Sequence, residues 1–438
     1  MLKWLGRGGK KMLIPTKAQK SVIKKHQTHN LNHSQVGAGK TLMAIESFKE
    51  SKYSKLVIVC LPSKVRDWAS DALEQGVHIK PLDGTPKQRR DALMASETQC
   101  VAISFQSSWR TPELIGFIDK DTMIVFDESQ CLANRTSKVT KFWMTHAKKA
   151  GHTYLMSGTP ISNGMMEQWF SQLTIAGHYK GTWKKFRERY CIETMQYMGG
   201  KQFNQITGYK NTDELEEILR EHSVAIKRDN KLIPSDIVLK VKSPKMFDVI
   251  GKRRVFTKDN GEIVALDTPS SLFNALRMSS GGFISGVSKT AKNNKIDRLK
   301  DLLEECEGER VVICYQYVET YERLSKVIDR PLSVYNGSKK DLTAWNEHDN
   351  AVLLVQHQAG STGVNFMDIA HIMVFFEMPL SSIGYEQMKG RIARHTSTQD
   401  PVYYHILADN RIEQRIYDNV TNGVSVSNKL IEQWIEEV

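Results

Sequence analysis

The chain has 438 residues, 40% of them apolar and 25% charged. That composition fits folded proteins of two to four domains and excludes wholesale disorder, fibrous repeats and small disulfide scaffolds. Lys and Arg exceed Asp and Glu by 61 − 49 = 12, with nine basic side chains and no acid in the first 45 residues, which favours a polyanionic partner. The six cysteines form no C-x-x-C pair, so reduced thiols or small core residues are expected. The longest early apolar run, Leu56 to Leu61, falls far short of the roughly 20 residues that a bilayer span needs, and cytoplasmic placement is the expectation.

From Leu56 to about Leu173, strand-like and helical stretches alternate. The order is LVIVC then Val65 to Leu73, VAIS from Val101 then Pro112 to Ile118, MIVF from Met123 then Ser137 to Lys148, and TYLM from Thr153 then Gly164 to Leu173. This rhythm predicts a parallel sheet with helices on both faces. It restarts at Arg310 with RVVIC, a helix over Val318 to Ile328, LSVY, a helix across Ala344, AVLLV, HIMVFF, a helix through Gly390, and VYYHIL with a final helix. A second α/β lobe is therefore predicted. The stretch between them is irregular, more helical and more polar. Its exception is the run Val255-Phe256-Thr257 and Glu262-Ile263-Val264 around Lys258-Asp259-Asn260-Gly261, which reads as a β-hairpin.

Ser34-Gln35-Val36-Gly37-Ala38-Gly39-Lys40-Thr41 precedes an apolar-periodic helix. It matches the phosphate loop G-x-x-x-x-G-K-[ST] except for Ser34 at the first glycine. Gly37, Ala38 and Gly39 would turn backbone N–H groups toward phosphates, Lys40 would reach the β and γ phosphates, and Thr41 would offer a hydroxyl to Mg²⁺. Met123 to Phe126 delivers Asp127-Glu128 to the carboxyl end of a buried strand, where open parallel sheets bind ligands. One carboxylate suits metal holding (Asp127) and the other suits water activation (Glu128). Asp is also a favoured helix N-cap, but at this place in the βα rhythm the pair reads better as the partner of the phosphate loop.

In order from about Ile14 to Val420, these motifs resemble a superfamily 2 helicase-like DNA-dependent ATPase of the Swi/Snf type, the compact bacteriophage and prokaryotic members in particular. Pro15 and Gln19 resemble the adenine-reading Q motif, Val57 to Asp71 motif Ia, Ala102 to Phe105 motif Ib, and Leu155 to Asn163 motif III. Val311 to Tyr317 is similar to motif IV, Gln358 to Asn365 to motif V, and Tyr385 to Arg394 to motif VI. The sequence departs from the family at Ser34, at Gln130 where a histidine is usual, and at His395-Thr396 after Arg394.

The resemblance implies two RecA-like lobes, residues 1–179 and 295–438, joined by a helical and hairpin insertion over 180–294. It implies ATP and Mg²⁺ as cofactors, with the metal on Thr41 and Asp127. Gln387, Arg391 and Arg394 would face the phosphate loop from across a cleft, the arginines three apart on one helix face stabilising charge on the γ phosphate. Gln130, Ser157 and Thr159 would couple the motifs. DNA contacts are implied for Ser63, Lys64, Phe105, Gln106, Asn336, Gly337, Ser338, Ser361 and Thr362, with little base reading; RNA remains open. Trp68, Trp109, Trp169, Trp183 and Trp345 are expected to pack as core. The hairpin, with Arg253, Arg254, Phe256 and Asn260, is either a brace or a wedge at a DNA junction. The expected activity is that of an ATP-dependent DNA helicase or translocase acting in replication, recombination or repair, in a bacterial or phage-infected cytoplasm. The alternatives are a remodelling translocase that leaves strands paired and a clamp that does not hydrolyse ATP.

Overall fold

The computed structural model describes residues 12–437 apart from 96, 162–163, 199–200, 227–231, 288–291, 362–365, 394–396 and 398. The first four basic residues of the amino-terminal run, together with Arg394 and Thr362, lie outside the described residues. The chain divides into two compact units, Met1–Asp229 and Asn230–Val438.

The first unit is built on β1 (Leu31–Asn32), β2 (Lys55–Cys60), β3 (Lys80–Leu82), β4 (Cys100–Ser104), β5 (Thr122–Asp127), β6 (His152–Met156) and β9 (Ser223–Val224), in the order β3-β4-β2-β5-β6-β1-β9. Every pairing in this sheet is parallel. Val57, Ile58, Val59, Ile124, Val125 and Phe126 are all fully buried, as a sheet covered on both faces requires, and this is why its strands read as unbroken apolar runs. Between β6 and β9 the chain makes an antiparallel ribbon of β7 (Cys191–Met198) and β8 (Lys201–Tyr209), which the sequence reading did not find.

The second unit carries β10 (Ser235–Val241), β13 (Val311–Tyr315), β14 (Leu332–Tyr335), β15 (Lys340–Asp341), β16 (Val352–Gln356), β17 (Ile372–Phe375) and β18 (Val402–Ala408), in the order β10-β18-β17-β13-β16-β14-β15. Only β15 pairs antiparallel. β11 (Val255–Thr257) and β12 (Ile263–Ala265) form the expected hairpin.

The stretch 180–294, expected as an insertion and linker, contributes a strand to each of the two large sheets. Its first part returns to the first sheet through the edge strand β9, and its second part enters the second sheet through β10, which pairs along its whole length with β18. The division therefore falls between residues 229 and 230. All six cysteines are free thiols, four of them buried, and burial pushes Cys131 up to about 12. Among the described residues no helix is long and apolar enough to cross a membrane.

Burial holds the imidazoles of His33, His152, His178, His357 and His405 down at about 4. An unfolded histidine titrates near 6.5, so between that pH and 4 the unfolded chain binds the more protons, and stability is lost as pH falls. The thermal midpoint should drop between pH 6.5 and 5, above the carboxylate range. A flat midpoint across that window would contradict the burial of these rings as neutral groups.

Candidate functional site

The loop after β1 leads into the helix Lys40–Lys49. Gly37 and Gly39 sit at φ of +80° and +81°, the left-handed region that glycine enters without cost, and a Cβ on Gly39 would collide with the Gln19 amide. Gln19 completes a capping box with Thr16 on the helix Lys17–Lys25, and its Nε2 donates to the Ala38 carbonyl at 2.9 Å. The Q-motif glutamine is thus fixed against the loop. Lys40 Nζ donates to the Ser34 and Gln35 carbonyls at 2.8 and 3.1 Å, and Thr41 follows in the first helical turn.

Ser34, the departure at the first glycine, is fully buried. Its Oγ accepts from Ile226 N at 3.0 Å and its own N donates to Asn32 Oδ1 at 3.0 Å. A glycine there would lack the hydroxyl that ties the loop to the segment after β9. Beside it, burial and the charge of Lys40 keep His33 neutral at pH 7.

β5 carries Asp127 to its carboxyl end, where Oδ2 accepts from Trp68 Nε1 at 2.9 Å. Glu128 holds φ 61° and ψ 58°, a left-handed conformation that costs a non-glycine residue about 1–3 kcal/mol and gathers at functional sites. Its Oε2 accepts from Gln130 Nε2 at 2.8 Å. Gln130 Oε1 accepts from Ser157 Oγ at 2.6 Å, and Ser157 Oγ accepts from Thr159 N at 3.0 Å. Gln130, in the place of the usual histidine, therefore joins the end of β5 to the turn after β6. A second bridge runs from Ser129 Oγ to Gln172 Oε1 at 2.9 Å and from Gln172 Nε2 to the Pro160 carbonyl at 2.7 Å. A Cβ on Gly158 would lie 3.2 Å from Val36 Cγ2 and 3.6 Å from Lys40 Nζ, so the motif III turn packs directly on the phosphate loop.

The first unit thus gathers Gln19, Gly37 to Thr41, Asp127, Glu128, Gln130, Ser157 and Thr159 around the carboxyl ends of the neighbouring strands β5, β6 and β1. Trp68, Gln172 and the Ile226 main chain are structural partners that the sequence reading missed. Ser63 is exposed, and Lys64 pairs with Asp67 at 3.1 Å. Gln106 is exposed, but Phe105 is only 2% exposed and belongs to the core. Ser104 caps the short helix that Phe105 opens.

In the second unit the helix Ser382–Ile392 carries Gln387 and Arg391, both buried and one turn apart. Two residues round the same helix, about 200° away, Lys389 Nζ donates to both Asp236 oxygens at 2.9 and 2.8 Å, and the Tyr385 hydroxyl lies 2.9 Å from His405 Nε2. These contacts hold the helix on β10 and β18. Asn336 Oδ1 accepts from the N–H groups of Ser338 and Lys339 at 2.9 and 2.7 Å, shaping an exposed turn at Gly337-Ser338. Ser361 ends the helix His357–Ser361. Arg253 and Arg254 are exposed, as is Asn260. Phe256 is half-buried instead: it and its cross-strand partner Val264 pack against the core of the second unit.

Residues 31–244 match the SNF2-related domain, and residues 294–396 match the helicase conserved C-terminal domain. Protein p41 of Acyrthosiphon pisum secondary endosymbiont phage 1 is 22% identical over 91% of this chain and 93% of its own length. The DNA annealing helicase and endonuclease ZRANB3 of Homo sapiens is 20% identical over 92% of this chain, which spans only 39% of that protein. The SWI2/SNF2 ATPase core of Sulfolobus solfataricus, solved in complex with dsDNA, aligns over 96% of this chain and 92% of its own at 16% identity, with a TM-score of 0.43.

Proposed function

Because this chain belongs to the Swi/Snf type of superfamily 2 helicase-like proteins, we propose that it is an ATP-driven, Mg²⁺-dependent motor on DNA. Its substrates in this reading are duplex, forked or branched DNA in replication, recombination or repair. The observation that carries the reading is the hydrogen-bonded chain Glu128–Gln130–Ser157 at the carboxyl ends of β5 and β6, with Asp127 on the same strand end and the Gly158 turn packed against Val36 and Lys40 of the loop.

In this reading Lys40 and the N–H groups of the loop hold the phosphates, and Gln19 reads the adenine. Thr41 and Asp127 supply the oxygen donors that a hard cation takes. Glu128 orients and deprotonates the attacking water, and Arg391 with Arg394 stabilises the charge that develops on the γ phosphate. Ser63, Lys64, Gln106, Gly337, Ser338, Ser361 and Thr362 grip the DNA backbone. Asn336 shapes the turn that presents Gly337 and Ser338. A non-hydrolysing clamp is disfavoured because Lys40 and Glu128 are both in place. A translocase that remodels protein–DNA complexes without parting strands uses the same residues and differs only in its product.

ATP hydrolysis measured against single-stranded, duplex, forked and four-way-junction DNA, with RNA as control, tests the reading. Stimulation by DNA is expected, with affinity falling steeply as salt rises because phosphate contacts release counterions. Hydrolysis indifferent to every nucleic acid would sink it.

The packing of Phe256 and Val264 favours the brace for the β11–β12 hairpin. Replacing residues 257 to 262 by a two-residue turn should leave DNA-stimulated ATPase and any strand separation at the parental level. Loss of strand separation alone, in a folded variant, would restore the wedge.

A further inference from the structure

Two tryptophans of the first unit lie at the margin of its core, Trp183 packing against Phe170 and Phe186. Trp109 and Trp183 are each partly exposed, and each carries cations over its ring. The Arg110 guanidinium lies 4.8 Å and Lys138 Nζ 5.1 Å from the Trp109 ring centre, while the Arg135 guanidinium lies 4.4 Å from that of Trp183. Arg110 and Lys138 are exposed and Arg135 half-exposed. Among the described residues none of the three pairs with a carboxylate, unlike Arg187, which meets Glu193 at 3.2 Å. Partial burial, and after it the charge of Arg187, holds the Arg135 guanidinium below its usual range.

The placement is fixed from beneath. Trp109 caps the short helix Phe105–Ser108 that leaves the carboxyl end of β4. Arg135 and Lys138 lie on the segment that leaves the carboxyl end of β5 through Ser129–Leu132. Trp143 Nε1 donates to Ser108 Oγ at 3.1 Å and locks the two segments together. Lys138 also opens the helix Lys138–His146, capped by Ser137, so the positive end of that helix adds to the cations. Partly exposed indoles among cations without a carboxylate partner provide what an unpaired nucleic-acid strand binds: charge for its phosphates and flat faces for its bases.

We propose that Trp109, Arg110, Arg135, Lys138 and Trp183 form a second nucleic-acid site, one that grips single-stranded DNA. A continuous duplex keeps its bases stacked inside and offers the indoles nothing, so the site discriminates by strand state. It rests on the motor reading above and adds to it a place for a displaced strand. Of its residues, Arg135 and Lys138 follow Glu128 in the chain, on the segment that leaves the carboxyl end of β5.

The test uses the full chain and three variants, Trp109→Ala, Lys138→Gln and Arg135→Gln. Binding of a fluorescein-labelled oligo-dT and of a blunt duplex is read by anisotropy, beside ATPase stimulated by the duplex. Trp109→Ala should weaken oligo-dT binding roughly tenfold, about the effect of losing one base stack, while duplex affinity and duplex-stimulated ATPase stay within twofold. Lys138→Gln and Arg135→Gln should weaken oligo-dT binding several-fold and lower its salt dependence. If all three variants bind oligo-dT like the parent, or lose oligo-dT and duplex equally, the single-strand site is wrong. A parent chain that binds neither DNA overturns the motor reading itself, and this site with it.

Discussion

Glu128→Gln should lower ATP turnover by at least about a hundredfold, the scale of a lost general base, while nucleotide stays bound. Lys40→Ala should lose both turnover and binding, since it removes a phosphate contact. The contrast is informative because the glutamine keeps the geometry. Glu128 Oε2 accepts from Gln130 Nε2, and an amide oxygen at the same place accepts the same bond, so the chain through Gln130 to Ser157 survives the exchange. What disappears is the negative charge that takes a proton from water. Single-turnover hydrolysis, read beside the binding of a fluorescent ATP analogue, separates the two variants. Near-parental hydrolysis by a folded Glu128→Gln protein would remove Glu128 from the chemistry and leave its strained backbone unexplained.

The parts of this site that the sequence revealed are those governed by neighbours along the chain. Gly37 and Gly39 announce positive φ, an apolar run ending in Asp127 announces a buried strand, and the lysine after the second glycine begins its helix. The parts it hid depend on which distant residue happens to stand opposite. Nothing in VRDWASD distinguishes a tryptophan that donates to Asp127 from one that merely fills the core. Nothing beside Ser34 in the chain shows that Ile226 N, 192 positions away, donates to its hydroxyl.

A motif places Phe105 near a ligand but does not say that its ring packs into the core. The β7–β8 ribbon escaped because it is largely exposed on both faces and so shows no apolar alternation. Its one local signal was Gly199-Gly200 between two β-prone runs. The unit boundary was hidden for a similar reason, since a two-residue edge strand such as β9 has no periodicity to read.

Arg391 and Arg394 should each prove necessary for hydrolysis at saturating ATP with DNA present, the loss approaching a thousandfold where an arginine stabilises the departing phosphoryl charge. Arg391 is only 7% exposed, so truncation to alanine invites a folding defect, and Arg391→Lys is the sharper variant. It keeps the charge and most of the volume but loses the planar fork that engages phosphate oxygens in pairs. The helix itself should survive, because its anchors, Lys389 on Asp236 and Tyr385 on His405, lie on another face and are untouched. A residue that acts only in the transition state lowers kcat and leaves KM for ATP nearly unchanged, whereas a packing residue lowers the thermal midpoint first. If folded Arg391→Lys and Arg394→Ala both hydrolyse at the parental rate, the second unit gives no arginine to the reaction, and the chemistry belongs to the first unit alone.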